Sequence, residues 1–93
     1  MKEVHVRVSG RVQGVGYRYF VRDMAMSHGV TGWVRNEPDG TVSVSAVCDE
    51  AILNDFLSAI RAKGDPVIRV TEMHTEWHEA ASHGKGFEIR RHV

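Results

Sequence analysis

The sequence predicts an α+β sandwich: an antiparallel sheet of four to five strands with two helices packed on one face. Three features lead to it. Residues 3–9 alternate, with Val4, Val6 and Val8 set against His5, Arg7 and Ser9, the period of a half-buried strand. Tyr17, Phe20, Val21, Met24, Ala25 and His28 recur at the spacing of an amphipathic helix. The segments then follow one another as β-α-β-β-α-β with a terminal strand. That order is the split β-α-β or ferredoxin-like plan, with both crossovers of the usual right-handed kind. A fold of this kind hosts many activities and names none.

Each element carries its own boundary signals. Gly29 stops helix one. Residues 30–36 form the second strand, with Trp33 as a large buried or half-buried anchor. Glu37-Pro38-Asp39-Gly40 is a turn in which proline presets one dihedral and Gly40 takes the positive one. Val42, Val44 and Ala46 alternate again, so strands two and three make a hairpin. Asp49 is placed to cap a second helix, with Glu50 in its first turn. Leu53, Phe56, Leu57 and Ile60 give that helix its apolar stripe, and Gly64-Asp65-Pro66 ends it. Residues 67–78 hold a further strand with Met73, Thr75 and Trp77 expected inward. The spacing of Val67 and Val70 blurs its start. Residues 80–86 read as a flexible connection and Phe87-Glu88-Ile89-Arg90 as a short edge strand. Trp33, Trp77, Met24 and Met73 are expected in the core, Met26 partly exposed, and Cys48 a small buried apolar group.

Length and composition exclude several classes. Residues 1–93 make one domain, long enough to bury roughly 60–68% of its unfolded surface without staples. Twelve basic and 12 acidic residues give a formal net charge of zero, with no run of like charge. A polyanion binder needs a basic face, so no nucleic-acid partner is expected. An RNA-binding sheet would also want aromatics on its central strands, where this one offers His5, Arg7, Ser9, Ser43 and Ser45. The single cysteine, Cys48, fits a reducing compartment. No apolar stretch approaches the ~18 residues of a membrane span, and the N-terminus lacks a signal-peptide core. A cytoplasmic, monomeric protein without membrane contact is expected.

Residues 9–18, Ser-Gly-Arg-Val-Gln-Gly-Val-Gly-Tyr-Arg, lead from strand one into helix one. A glycine-spaced turn of this sort aims unpaired backbone N–H groups at one spot, at the positive end of a helix dipole. It is neither a Walker loop nor the dinucleotide fingerprint, because no Gly-Lys-Ser/Thr follows and Tyr19 stands where a third glycine would. Spacing alone leaves a phosphate cradle and a glycine-eased turn both open. Arg18 tilts the choice: the dipole disfavours a cation in the first turn unless an anion lies between it and the amides. Arginine also presents a planar fork that matches two phosphate oxygens. Arg11, Arg18 and Arg22 fall near one end of helix one. Asn36 has two readings as well. Beside a turn it serves local backbone hydrogen bonds; alternatively its carboxamide orients a water.

Gly10-Arg11-Val12-Gln13-Gly14-Val15-Gly16-Tyr17-Arg18, followed by Gly32-Trp33-Val34-Arg35-Asn36-Glu37-Pro38-Asp39-Gly40-Thr41-Val42, closely resembles the two motifs of the acylphosphatase family. The similarity extends through the Gly64-to-Val70 segment to the Gly-Phe-Glu-Ile-Arg close. The resemblance implies a ferredoxin-like sheet and the hydrolysis of small-molecule acyl phosphates to carboxylate and inorganic phosphate. It implies no metal, no cofactor and no covalent intermediate. By the same resemblance Arg18 binds the phosphoryl group and the backbone amides of Gln13, Gly14, Val15, Gly16, Tyr17 and Arg18 complete the cradle. Asn36 then positions the attacking water. Ser43 departs from the acidic residue common there in relatives and reads as surface variation. Tyr17 stands where phenylalanine is commoner, and suits the core if its hydroxyl finds a partner. The alternative is a non-catalytic phosphate- or carbamoyl-phosphate-binding module of the same fold. Such domains occur within larger hydrogenase-maturation proteins, whose zinc-finger regions have no counterpart here.

Six histidines raise the question of a metal. His74 and His78 on one strand would stand roughly 13 Å apart. His5, His28, His83 and His92 are scattered along the chain. No zinc-site spacing results, and no metal is expected.

Overall fold

The computed structural model describes residues 1–91, so that His92 lies outside the described residues. The elements are β1 (Lys2–Arg11), α1 (Tyr17–His28), β2 (Thr31–Asn36), β3 (Val42–Cys48), α2 (Glu50–Ala59), β4 (Arg69–Glu79) and β5 (Phe87–Arg90). They build a five-stranded sheet in the order β4-β1-β3-β2-β5. The expected ferredoxin-like α+β plan is therefore present, with one correction to the sheet. β1, β2, β3 and β4 pair antiparallel, but β5 runs parallel to β2, from Gly32↔Phe87 to Arg35↔Arg90. β4 ends beside the start of β1, at the same end of the sheet where β2 begins. The connection after it stays at that end, where Gly32 donates its N–H to the Gly86 carbonyl. β5 therefore starts level with β2 and must run the same way.

The alternating valines do what their period demands. Val4, Val6 and Val8 of β1 and Val42, Val44 and Ala46 of β3 are buried on one face. Tyr17, Val21 and Ala25 of α1 and Leu53 and Phe56 of α2 close over that face. Gly29 ends α1 in the left-handed conformation, and the N–H groups of Gly29 and Val30 return to the Met26 and Ala25 carbonyls. Cys48 is buried, as expected of a small apolar group.

Several expectations change. β4 starts at Arg69 and carries a bulge: Gly10 pairs with Val70 and Ser9 with Glu72, leaving Thr71 as the extra residue. The bulge brings Val70 and Met73, three apart, onto the core side together. Thr75 and Trp77 lie on that same side, opposite Val6 and Val4, yet they are exposed, Trp77 by 38%. The period was right about the face. Cover is what is missing, because β4 is an edge strand and the helices pack over β2, β3 and β5. Trp33 is only half-buried on the opposite face, where Arg35 and Arg90 stack on its ring at 4.8 and 5.0 Å. α2 stops at Ala59, before Gly64-Asp65-Pro66, and Ala62 turns the chain with a positive φ of 53°. Asp49 occupies the N-cap position of α2, but its carboxylate makes no capping bond.

Tyr17 ties the helices together. Its ring is buried and its hydroxyl donates to the Ile60 carbonyl at the end of α2, 2.7 Å away. Burial pushes the phenol well above its ordinary pKa of 10.0, against a smaller opposing pull from Arg61. Tyr17→Phe leaves a buried carbonyl without its donor and should cost about 1–3 kcal/mol, with catalysis intact. At roughly 4–8 °C per kcal/mol the loss is readable as a melting shift. The raised pKa also fixes a sign. The folded state favours the protonated phenol, so the Tyr17 contribution is full below the unfolded pKa of about 10 and fades as pH rises above it. The gap in stability between the parent chain and Tyr17→Phe should therefore narrow above pH 10; a constant gap would refute the assignment.

Candidate active site

The register of the sheet gathers the two motifs at one end. Val8 of β1 faces Val42 of β3, and Val42 faces Asn36 of β2. The loop that leaves β1 for α1 thus begins beside the turn that joins β2 to β3. A side chain fastens them: Gln13 Nε2 donates to the carbonyls of Glu37 and Thr41, both at 2.8 Å. Gln13 had been expected only as a backbone donor, and its role as a tie could not be read from spacing. Arg7 adds a second tie, from its guanidinium to Asp39 at 3.3 Å and to the Thr41 hydroxyl at 3.2 Å.

The loop backbone has the form of an anion nest. Gly14 (φ 73°) and Gly16 (φ 79°) are left-handed, whereas Val15 between them is not. An alternation of this kind is the backbone form that, in anion nests, turns successive N–H groups toward one concavity. Neither glycine is forced by crowding, since a Cβ at either would meet nothing within 4 Å. The dihedral angle is what demands glycine there. No backbone amide from Gln13 to Tyr19 donates a hydrogen bond among the described residues; the first helical bond is Phe20 N–H to the Gly16 carbonyl. α1 has no side-chain N-cap bond and no acidic residue in its first turn. Its dipole is left uncompensated at the loop.

Arg18 stands half-buried in that first turn and has no carboxylate partner among the described residues. One turn further, Arg22 Nε is buried without an acceptor and its guanidinium lies 5.3 Å from the Tyr19 ring centroid. Arg11, the third cation of the group, sits exposed at the end of β1 opposite Arg69. Asn36 ends β2, half-buried, and its Oδ1 is buried with no donor among the described residues. The neighbouring turn does not use it. Gly40 N–H bonds the Glu37 carbonyl, Glu37 N–H the Thr41 carbonyl, and Asp39 accepts from the Thr41 backbone and hydroxyl. Glu37 is held below the ordinary carboxylate range by the Ser43 hydroxyl first and then by Arg35, whose Nε lies 2.9 Å away. Ser43 thus supports the second motif from β3. Cavities of about 500 and 520 Å³ among the described residues are lined by other residues than 13–18 and Asn36. The candidate site lies at the end of the sheet where β1 leaves for α1 and β2 turns into β3.

Among the described residues no helix is long and apolar enough to cross a membrane. The family model described as Acylphosphatase matches residues 4–89. An acylphosphatase of Geobacillus kaustophilus is 47% identical over 89 residues, covering 96% of this chain and 94% of its own. The crystal structure of acylphosphatase from Bacillus subtilis superposes with a TM-score of 0.90 at 36% identity, covering 97% of this chain and 99% of that one. T. kodakarensis HypF gives a TM-score of 0.84 at 26% identity, but the match takes up only 12% of that chain.

Proposed function

The chain belongs to the acylphosphatase family and is a hydrolase of acid anhydrides, and we propose that the glycine loop and the end of β2 are where it works. The substrate is an acyl phosphate. The amides of Gln13, Gly14, Val15, Gly16, Tyr17 and Arg18 hold the phosphoryl oxygens, and the Arg18 guanidinium clamps them from the helix side. Asn36 Oδ1 accepts a hydrogen bond from the attacking water. The observation that carries this reading is the pairing of unspent groups: a run of free N–H donors in an alternating left-handed loop, next to a buried carboxamide oxygen the protein leaves without a donor. Buried polar atoms are normally paired, so an orphan beside a donor nest asks for a ligand that supplies both.

The chemistry needs little more. Water oxygen bonds to phosphorus, the bond from phosphorus to the acyl oxygen breaks, and its electron pair leaves with the carboxylate. That leaving group is stable as an anion and needs no acid to depart. Catalysis reduces to placing water in line and stabilising charge on the equatorial oxygens. A phosphoryl oxygen of the substrate takes the proton that water gives up. A match along nearly the full length of relatives named acylphosphatase favours the enzyme over the non-catalytic binding module.

The test is hydrolysis of an aryl acyl phosphate such as benzoyl phosphate, in chelator and in ¹⁸O-labelled water. The label is expected in inorganic phosphate, with phosphate a competitive inhibitor and no steep dependence of rate on a histidine titration. Label in benzoate would mean attack on carbon and would sink the assignment of Asn36. Phosphate binding without hydrolysis would return the chain to the binding-module reading.

A further inference from the structure

On the open face of the sheet, away from the helices, the pairing of β1 with β4 brings His5 to two ligating side chains far from it in the chain, Glu76 and His78. His5 pairs with Glu76, and Glu3 with His78, so His5 and His78 meet diagonally across the two strands. Their rings stand 5.3 Å apart, steeply inclined at 62°. One donor atom from each of His5, Glu76 and His78 lies within 4.8 Å of the other two. We infer that these residues form a surface site for a divalent transition metal, Zn²⁺ being the probe of choice. The spacing of His74 and His78 along one strand gave no such site; the cross-strand register supplies it.

The donor set selects the metal class. Two imidazoles and one carboxylate suit zinc and its neighbours, whereas calcium and magnesium require oxygen alone. Three protein ligands leave a position for water, the usual form of an open zinc site. Tetrahedral bonds of about 2.0–2.1 Å place donor atoms about 3.4 Å apart, so modest rotation of exposed side chains closes the set. Without metal the groups satisfy one another: His78 Nε2 meets Glu76 at 2.7 Å, and His5 Nε2 lies 3.3 Å from Glu3. A cation replaces those contacts and clips the edge strand β4 to its neighbour. The site is separate from the nest, since His5 and Arg11 lie about 20 Å apart along β1. It does not depend on the function proposed above.

The experiment titrates Zn²⁺ into untagged full-length protein, by calorimetry and by competition with a chromophoric chelator. One equivalent is expected to bind and to raise the melting temperature. His5→Ala and His78→Ala should each weaken binding by at least the about 10–100-fold that even an outer-shell partner is worth. They should also abolish the melting shift while leaving acyl phosphate hydrolysis unchanged. His74→Ala, on the same strand but bonded to Glu72 at 2.9 Å, should bind as the parent does. Absence of saturable binding, equal binding by His78→Ala, or an equal loss in His74→Ala would each overturn the site.

Discussion

Arg18→Ala is expected to lower kcat/KM by on the order of 10³-fold, the range in which a transition-state arginine or oxyanion donor is found. The loss should fall on binding and turnover together, with KM rising and inorganic phosphate losing its hold as an inhibitor. Stability should move the other way. Arg18 opposes the α1 dipole and has no carboxylate partner among the described residues. Removing such a charge relieves about 0.3–1 kcal/mol of unfavourable interaction. A variant that is nearly inactive yet melts no lower than its parent is the outcome sought. Arg18→Lys restores the charge without the fork, and should regain only part of the rate. Unchanged phosphate inhibition in Arg18→Ala would remove the guanidinium from the nest.

What could be read from the chain follows from which physical signals are local. Alternation in Val4, Val6 and Val8 and helical recurrence from Tyr17 to His28 are set by short-range geometry, and those elements stand where expected. Pro38 and Gly40 likewise dictate a turn by their own dihedrals, and Gly40 is at φ 92°. Cover is not local. The period places Trp77 on the core side of β4, but whether a helix lies above it depends on strand order, and none of the sequence signals report that. The end of α2 failed for a related reason: Arg61, Ala62 and Lys63 are good helix formers, and the chain leaves the helix before them. The site divides in the same way. Two glycines at a strand-to-helix junction leave a glycine-eased turn open beside an anion nest, and the arginine that follows tilts the choice toward the nest. The Gln13 tether and the cross-strand meeting of His5 with His78 exist only once the register is fixed.

Asn36 is the residue on which the two readings of the site diverge most sharply. If it only serves the turn, Asn36→Ala should destabilise the hairpin and leave turnover alone. The hydrogen bonds argue otherwise, because the turn is closed by Gly40, Glu37, Asp39 and Thr41 without any contribution from Asn36 Oδ1. Removing that oxygen discards a buried acceptor with no protein donor, a change that costs little where no bond is lost. On the proposed reading, what disappears is the atom that fixes the water's line of attack. Misplacing a nucleophile by an ångström costs on the order of 10²-fold, and that is the expected fall in kcat. KM and phosphate inhibition should stay near parental values, since the loop amides and Arg18 remain. The melting temperature should hold as well. The decisive comparison is between the two alanine variants: Arg18→Ala loses phosphate affinity with rate, whereas Asn36→Ala keeps affinity and loses rate. Parental turnover in Asn36→Ala, or a loss of phosphate affinity equal to that of Arg18→Ala, would mean that water is oriented by another group.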